Sequence, residues 1–257
     1  MKCTVNDILS FIDSFAPFNT QAQWDNSGLL IGKGENEVNK IAVCLDITTG
    51  NVEKANAEGC DLIVSHHPVI FHPLKAIDFL SPSALLIKYG ISAICVHTPL
   101  DLANGGVNDV LAGKLGLENI NQLTDDGESA ICRTGYISET QPEQFAKAVA
   151  GRLNTAVKYN RGGRKITKVC VCGGAGACFL ETAVGCGCDA LVTADVKHHE
   201  YIMASENNVT IIDAGHFETE NPVIFELQKR LKKEFGIEVI AIEDEKMPEV
   251  TGGENAV

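Results

Sequence analysis

Hydrophobic residues recur along the chain in two patterns, one with helical spacing and one in short β-branched runs. Helical spacing predicts a helix over Val5–Phe15, with Thr4 as its N-cap. Apolar runs at residues 40–46, 62–64 and 91–96 predict buried strands. Further helical patterns, each followed by a glycine that ends it, predict helices over Thr49–Ala57, residues 81–89 and residues 107–115.

The same alternation returns after a polar, acidic stretch at residues 119–128, which is a candidate joint. A strand is predicted at residues 135–137 and a helix over Pro142–Leu153, and the pattern continues to Ile242. Strands that alternate with helices are typical of an α/β fold.

An internal repeat relates the two stretches. Residues 40–61 align with residues 168–189 at a constant offset of 128, with eight identical positions. Further on, a His-x-x-x-acid pattern follows a predicted strand in each stretch, at residues 97–101 and 216–220. Chance similarity between two α/β units is the alternative, but the matches at one offset favour a duplicated architecture.

The expected organisation is therefore one unit over residues 1–245, built from two pseudo-equivalent α/β halves at about 1–125 and 126–245. The remaining residues 246–257 are acidic and contain glycine, so they are expected to form a disordered tail.

The net charge of the chain argues against some classes of binding partner. The chain has 257 residues and a net charge of −13, which disfavours nucleic acid and anionic membranes. It has no run of about 18 apolar residues that would span a membrane. Its first residues lack the pattern of a cleavable signal peptide. We expect a cytoplasmic protein.

The ten cysteines are spread through apolar, strand-like runs. This distribution is typical of buried free thiols rather than of a short secreted disulfide scaffold. Cys186 and Cys188 form a C-x-C pair with no matching C-x-x-C, so no metal site is assigned to them.

Chemistry-bearing side chains follow three predicted strands. Each of these strands is followed by imidazole, and two are also followed by carboxylate; the residues are His66, His67, His97, Asp101, His216 and Glu220. Because ligands collect beyond the carboxyl ends of strands in open α/β sheets, these groups are expected to converge. Mixed imidazole and carboxylate ligands suit Zn, Fe, Mn, Co or Ni, and two carboxylates can bridge two cations. The pair His198–His199 lies in a predicted helix and is interpreted as structural.

Four motifs together resemble the family of GTP cyclohydrolase 1 type 2 homologues, also called Nif-three-like dinuclear metal-centre proteins. They are WDNSGLLIG, SHHPVIFHPLK, VHTPLDLANGGVNDVLAGKLGL and DAGHFETE. The resemblance implies two α/β halves, a two-metal centre in the cleft between them and a hexameric ring, without the extra domain that some members insert. By motif match, it implies metal ligands at His66, His67, Asp101, His216 and Glu220.

Two functions stay open at this stage. In the first, the protein is a metal-dependent hydrolase whose substrate is a nucleotide or another phosphorylated or heterocyclic compound. His97, which the resemblance does not make a ligand, then acts as a general base or orients the metal site. In the second, the protein is a non-enzymatic ring that holds or delivers metal, or an interaction scaffold.

For each of three further features, the sequence leaves two interpretations open. The turn with Gly173, Gly174 and Gly176 is either a phosphate-binding turn or a tight strand-to-helix connection. The basic loop with Arg161 and Arg164 either binds polyphosphate or is a solvated hairpin. The segment Trp24-Asp25-Asn26 either lines the cleft or is structural, with the two polar residues capping or turning the chain.

Overall fold

The computed structural model describes residues 2–125 and 128–243. Its strands are β1 (Gly28–Ile31), β2 (Lys40–Cys44), β3 (Leu62–Ser65), β4 (Ser92–Cys95), β5 (Glu118–Asp125), β6 (Glu128–Thr140), β7 (Lys158–Tyr159), β8 (Ile166–Val171), β9 (Ala190–Thr193), β10 (Thr210–Asp213) and β11 (Glu238–Ala241). Its α-helices are α1 (Val5–Phe15), α2 (Thr49–Ala57), α3 (Pro82–Tyr89), α4 (Thr98–Leu102), α5 (Val107–Lys114), α6 (Pro142–Leu153), α7 (Leu180–Gly185), α8 (His198–Glu206), α9 (His216–Glu220) and α10 (Pro222–Phe235). The predicted α/β class is confirmed.

Local sequence signals set several of these boundaries. Helix α1 begins after Thr4, whose hydroxyl accepts a hydrogen bond from Asp7 N–H while the Asp7 carboxylate accepts one from Thr4 N–H. Helix α3 begins after Ser81 and ends at Gly90, which has a φ of 70°. The predicted bounds of α1, α2 and α6 agree with the structure.

Two sheets carry the strands. The first has the order β1-β4-β3-β2-β11 and the second has the order β5-β6-β8-β9-β10-β7. Strands β2, β3 and β4 are parallel in the first sheet, as β8, β9 and β10 are in the second. Ile41 faces Leu62 and Val169 faces Ala190, so the two sheets keep the offset of 128 in their strand register. This matching register supports the duplicated architecture.

The sheets do not divide the chain at one point. The polar stretch predicted as a joint begins within β5, which pairs with β6 at the edge of the second sheet. The strand predicted at residues 135–137 is part of the longer β6. Strand β11 returns to the first sheet and lies parallel to β2. The division into halves stays a prediction, and the predicted tail lies outside the described residues.

Buried side chains cover both faces of each parallel strand group, as expected of an α/β sheet. In the first sheet, Val43 and Val64 pack in one apolar cluster, and Ala42 and Ile63 pack in another. The ten cysteines are free thiols and most are buried, as predicted. Every helix in the described part of the chain is too short or too polar to span a lipid bilayer.

A buried arginine links the second sheet to the first half of the chain. Arg133 in β6 is 1% exposed. Its Nη2 donates hydrogen bonds to the carbonyls of Leu102 and Ala103 just after Asp101, and its Nε donates to Asp109 in α5. Because a buried guanidinium needs such partners, these contacts fix α4 and α5 against β6.

Candidate metal centre

His66 and His67 lie directly beyond β3, at the carboxyl edge of the first sheet. Their backbone extends the pairing with the neighbouring strand, since His66 N–H donates to Cys44 O and His67 N–H donates to Leu45 O. The His66 side chain is fully buried and the His67 side chain is 22% exposed. The strand ending therefore fixes both imidazoles at the edge where ligands bind in α/β sheets.

Two short helices bring the other predicted residues to the same place. His97 is the N-cap of α4, which contains Asp101, and α9 begins at His216 and ends at Glu220. In α9, residues four apart share a helix face, so the imidazole of His216 lies beside the carboxylate of Glu220, at 3.1 Å. The second half has one more residue between strand and histidine, and Gly215, with a φ of 85°, lies in that connection.

All six predicted side chains come together. In the part of the chain that the structure describes, three groups have donor atoms within 4.8 Å of one another: His66–His67–His97, His67–His216–Glu220 and His66–Asp101–Glu220. His66, His67 and Glu220 each belong to two of these groups. The donor atoms therefore form one continuous centre, made from both halves of the chain.

Glu220 lies in the middle of this centre. Its Oε2 is 3.0 Å from His67 Nε2 and 3.1 Å from His216 Nε2, and its Oε1 is 3.8 Å from His66 Nε2. Asp101 Oδ1 is 3.6 Å from His66 Nε2. Both carboxylates are buried. The Glu220 carboxylate therefore lies close to three imidazoles, an arrangement that suits a carboxylate between two cation sites.

The protein holds each imidazole through its Nδ1 atom. The partners are Val96 O for His66 (3.1 Å), Asp46 for His67 (2.8 Å), Asp25 for His97 (2.8 Å) and Asp195 for His216 (2.7 Å). A proton on Nδ1 satisfies these acceptors and leaves the Nε2 lone pair available. Histidines that bind metal usually donate the other ring N–H to a carboxylate or carbonyl in this way.

Buried atoms without partners show that these residues fit cations. Among the described residues, four buried side-chain atoms lack a hydrogen-bond partner. Three of them lie in this centre, His66 Nε2, Asp101 Oδ1 and Glu220 Oε2, and the fourth is the Tyr201 hydroxyl. The imidazoles near Glu220 Oε2 are close but lack hydrogen-bond geometry. An unsatisfied buried polar atom costs about 1–3 kcal/mol. Divalent cations such as Zn, Fe, Mn, Co or Ni would satisfy this set of nitrogen and oxygen donors.

Burial and nearby charges act differently on the two carboxylates. Burial raises the pKa of Asp101 to about 7, because the attraction of His66 offsets only part of the cost of a buried charge. Burial also opposes the charge on Glu220. Three close imidazoles outweigh it, however, and hold the pKa of Glu220 well below its usual range.

Burial and nearby charges also give the imidazoles different pKa values. Contact with Glu220 raises the pKa of His216 to about 9. Burial lowers the pKa of His67, but contacts with Asp46 and Glu220 outweigh it and raise that pKa to about 10. Burial lowers the pKa of His97, and contact with Asp25 offsets only part of the effect. The protein therefore favours the neutral form of His97.

The glycine turn after β8 packs against the centre instead of offering a phosphate site. Gly173 N–H donates to Asn108, Gly174 N–H to Thr219 and Gly176 N–H to Thr193. A Cβ on Gly174 would lie 2.2 Å from a carboxylate oxygen of Glu220. These contacts favour the interpretation as a tight connection.

The basic loop and the His198–His199 pair lie outside the centre. Arg161 and Arg164 form ion pairs with Glu143 (3.7 Å) and Asp189 (3.0 Å), and Asp189 precedes β9 at the opposite edge of the sheet. These pairs favour a solvated loop over a polyphosphate site. The prediction of a hairpin is wrong, because β7 pairs with β10 whereas β8 pairs with β6 and β9. His198 and His199 belong to α8, as predicted, and to none of the three donor groups found in the described ranges.

Sequence reasoning missed the carboxylates that hold the imidazoles. Asp46 and Asp195 were not among the expected site residues. For Asp25 two interpretations were open, and its contact with His97 favours the one in which its segment lines the cleft. The usable signal was position: Asp46 follows β2 and Asp195 follows β9, both at the carboxyl edges that carry the histidines. Asp25 lies before β1, and nothing in its local pattern indicates contact with His97.

Comparison with known proteins places the fold and the motifs in a family. A sequence model of Duf34/NIF3 (NGG1p interacting factor 3) matches residues 3–248. A Clostridium acetobutylicum protein named GTP cyclohydrolase 1 type 2 homolog is 30% identical over 243 residues, which cover 90% of this chain and 91% of that protein. A Staphylococcus aureus hypothetical protein superposes with a TM-score of 0.89 at 26% identity, covering 98% of this chain and 100% of that one. A Bacillus cereus protein related to NIF3 shares the fold, with a TM-score of 0.90 at 23% identity over 98% and 99% of the two chains.

Proposed function

Because this chain belongs to the Duf34/NIF3 family, we propose that it is a metal-dependent hydrolase with a dinuclear centre. The observation that carries the proposal is the convergence of imidazoles and two buried carboxylates around atoms without hydrogen-bond partners. Two divalent ions, of Zn, Fe, Mn, Co or Ni, are the proposed cofactors. The proposed ligands are His66, His67, Asp101, His216 and Glu220.

Within this proposal, His97 moves the proton. Asp25 accepts the hydrogen bond from His97 Nδ1, so Nε2 is the ring atom that can take a proton from the nucleophile and return it to the leaving group. Divalent cations in the centre supply Lewis-acid assistance and lower the pKa of water. Asp25 keeps the ring in one orientation because its own side chain is fully buried.

The proposed substrate is a nucleotide or another phosphorylated heterocycle. A cavity of about 660 Å³ borders His67 and is lined by Thr48 and Gly50 at the start of α2 and by Lys54 in its last turn, so a small molecule has room beside the centre. Lys54 supplies a positive charge there. The name of the Clostridium relative refers to GTP.

The test is a paired measurement on full-length protein reconstituted with each candidate metal. Elemental analysis is expected to find about two ions per chain, and chromatography is expected to show consumption of nucleoside triphosphates in the loaded protein. Absence of stoichiometric metal after reconstitution contradicts the proposal. His198→Ala is the matched control, because His198 is an exposed histidine outside the centre.

One observation favours a second candidate, a protein that holds or delivers metal without catalysis. His97 shares a donor group with His66 and His67. If His97 is a ligand, fewer positions stay open for water, as in closed structural sites. A His97→Ala variant that loses metal supports this candidate, whereas one that keeps its metal and loses turnover supports the hydrolase.

For the assembly, we propose self-association into a closed ring, most simply a hexamer, in the cytoplasm. The support is the motif resemblance described above and the general preference of soluble oligomers for closed symmetry. Light scattering is expected to give one large species over a wide concentration range. A monomer throughout that range contradicts the proposal.

A further inference from the structure

Trp24 is exposed although the residues beside it are fixed. Its side chain is 60% exposed, and it is the single tryptophan of the chain. The next residue, Asp25, is held by His97 at 2.8 Å. Asn26 donates a hydrogen bond to the carbonyl of Ile70 at 2.6 Å. A large indole on such an anchored segment stays in water, which forgoes the apolar burial that tryptophan normally gains.

Phe71 lies next to this indole and is also partly exposed. The ring centroids of Trp24 and Phe71 are 6.0 Å apart, with 34° between the ring planes. Both rings approach His97, at 5.8 Å from Trp24 and 6.3 Å from Phe71. Asn26 also ties the two segments together, because its partner Ile70 precedes Phe71. Two aromatic rings therefore flank one imidazole of the centre.

We propose that Trp24 and Phe71 form a stacking site for a planar heteroaromatic ring of the substrate. The inference rests on the proposed hydrolase, since a ring stacked there lies beside His97. Aromatic rings stack on one another with little dependence on their substituents, so this pair selects flat rings as a class. The net charge of −13 disfavours a long polyanion, so the ring belongs to a small molecule.

The competing occupant is a second copy of this chain. The loop that carries Phe71 also exposes Phe79 and Leu80, and exposed apolar residues are typical of contacts between subunits. The position of Trp24 and Phe71 against His97 favours the small molecule, because the two rings continue directly from the polar centre. The experiment separates the two occupants.

Guanosine is the probe, with ribose as its control without a heteroaromatic ring. Because the chain has a single tryptophan, selective excitation reports on Trp24 alone. Guanosine is expected to quench this fluorescence in the metal-loaded full-length protein, and ribose is not. Phe71→Leu is expected to weaken guanosine binding roughly five- to hundredfold. Phe225→Leu, which removes an exposed ring from α10, is expected to leave it unchanged.

Calorimetry extends the test to Trp24 itself. Trp24→Leu is expected to lose guanosine affinity as Phe71→Leu does, whereas Trp24→Phe, which keeps a ring, retains most of it. Absence of quenching and heat with guanosine, or unchanged affinity in both leucine variants, overturns the stacking site. So does a leucine variant that alters the assembly in light scattering and binds guanosine normally, because the rings then serve contact between copies.

Metal content measured in the same samples separates this inference from the proposed function. Protein that holds metal but does not bind guanosine rejects the stacking site alone. Protein that binds guanosine through Trp24 and Phe71 but holds no metal rejects the hydrolase and supports the stacking site.

Discussion

The segments His97–Asp101 and His216–Glu220 have the same spacing, yet they give their imidazoles different surroundings. Asp25, which holds His97, has a fully buried side chain, whereas Asp195, which holds His216, is 56% exposed. The pKa of His97 is lowered and that of His216 is raised to about 9. Equal spacing thus yields one imidazole that favours the neutral form and one that favours the charged form.

The carboxylates explain much of this difference. The Glu220 side chain is one methylene longer than that of Asp101 and comes within 4 Å of His66, His67 and His216. Among the described residues, Asp101 has one histidine within that distance, His66. A repeated helix therefore fixes where the groups lie, and side-chain length decides how many partners each group has.

The repeat also changes individual positions. At the offset of 128, Asp46 corresponds to Gly174 and His67 corresponds to Asp195. The first half places an imidazole where the second half places the carboxylate that orients His216. Duplication of the strand register therefore does not require duplication of the chemistry.

The largest expected effect is on metal content, and it differs between the two carboxylates. Glu220→Ala is expected to abolish stoichiometric metal binding, because it removes the carboxylate that lies within 4 Å of the Nε2 atoms of three imidazoles. Asp101→Ala is expected to retain about one ion of the expected two. Elemental analysis after reconstitution measures both, with His198→Ala as the control that keeps full occupancy. Equal metal content in the two variants would contradict the expected difference between Glu220 and Asp101.

Turnover and metal content, measured on the same samples, are expected to distinguish the roles of His97 and His216. His97→Ala is expected to keep the metal and lose roughly 10²–10⁴-fold in any hydrolytic rate, as general acid–base groups do. His216→Ala is expected to lose metal, because its Nε2 lies 3.1 Å from Glu220. An undiminished rate in His97→Ala would show that the ring has no part in proton transfer.

The two aspartates that hold these imidazoles are expected to differ in their effect on stability. Asp25 accepts hydrogen bonds from His97, Thr98 and Ser27 in a buried position. Asp25→Asn is therefore expected to lower the free energy of unfolding by about 2–3 kcal/mol. Asp195→Asn changes it by less than about 0.5 kcal/mol, because Asp195 is exposed. Urea denaturation at pH 7 measures both, and equal effects would contradict the comparison.

The pH dependence of the Asp25 contribution has a definite sign. Burial opposes the charge, but contacts with His97 and Thr98 outweigh it and lower the pKa of Asp25 in the folded protein. A lowered carboxylate pKa stabilises the fold fully above its unfolded value of about 4. The stabilisation is lost as pH falls below that value towards the folded pKa. Asp25→Asn is expected to flatten this part of the stability curve.

The smallest expected effect concerns the glycine turn. Gly174→Ala combines a φ of 62° with a Cβ that would lie 2.2 Å from Glu220 Oε1. Gly59→Ala is the matched control, since Gly59 has a φ of 71° and no atom within 4 Å of the added Cβ. Each is expected to cost about 1–2 kcal/mol of stability. Chelator competition is expected to show weaker metal binding, by about tenfold, in Gly174→Ala only.

Much of the fold could be predicted from sequence because its signals are local. The cap at Thr4, the glycine at position 90 and the short apolar runs each indicate a boundary within a few residues. The expected site residues also follow strands directly, so their convergence follows from the parallel arrangement.

The rest depends on contacts between distant segments. Asp25 reaches His97 across 72 positions of sequence, and no periodicity indicates such a contact. The return of β11 to β2 likewise joins residues 198 positions apart, as Glu238 and Lys40 show. The polar stretch at residues 119–128 was expected to be a joint because its composition is acidic, whereas the cross-strand pairing that makes β5 an edge strand is not visible in composition.

The late position of β11 has a consequence for the chain during its synthesis. Until residues 238–241 have been made, β2 is the outer strand of the first sheet, and its backbone groups on that side lack a partner strand. At a translation rate of about 5–20 residues per second, the interval from Cys44 to Glu238 lasts roughly 10–40 s. A nascent chain therefore presents an open strand edge during this interval, and chaperones that cover such edges have that interval in which to act.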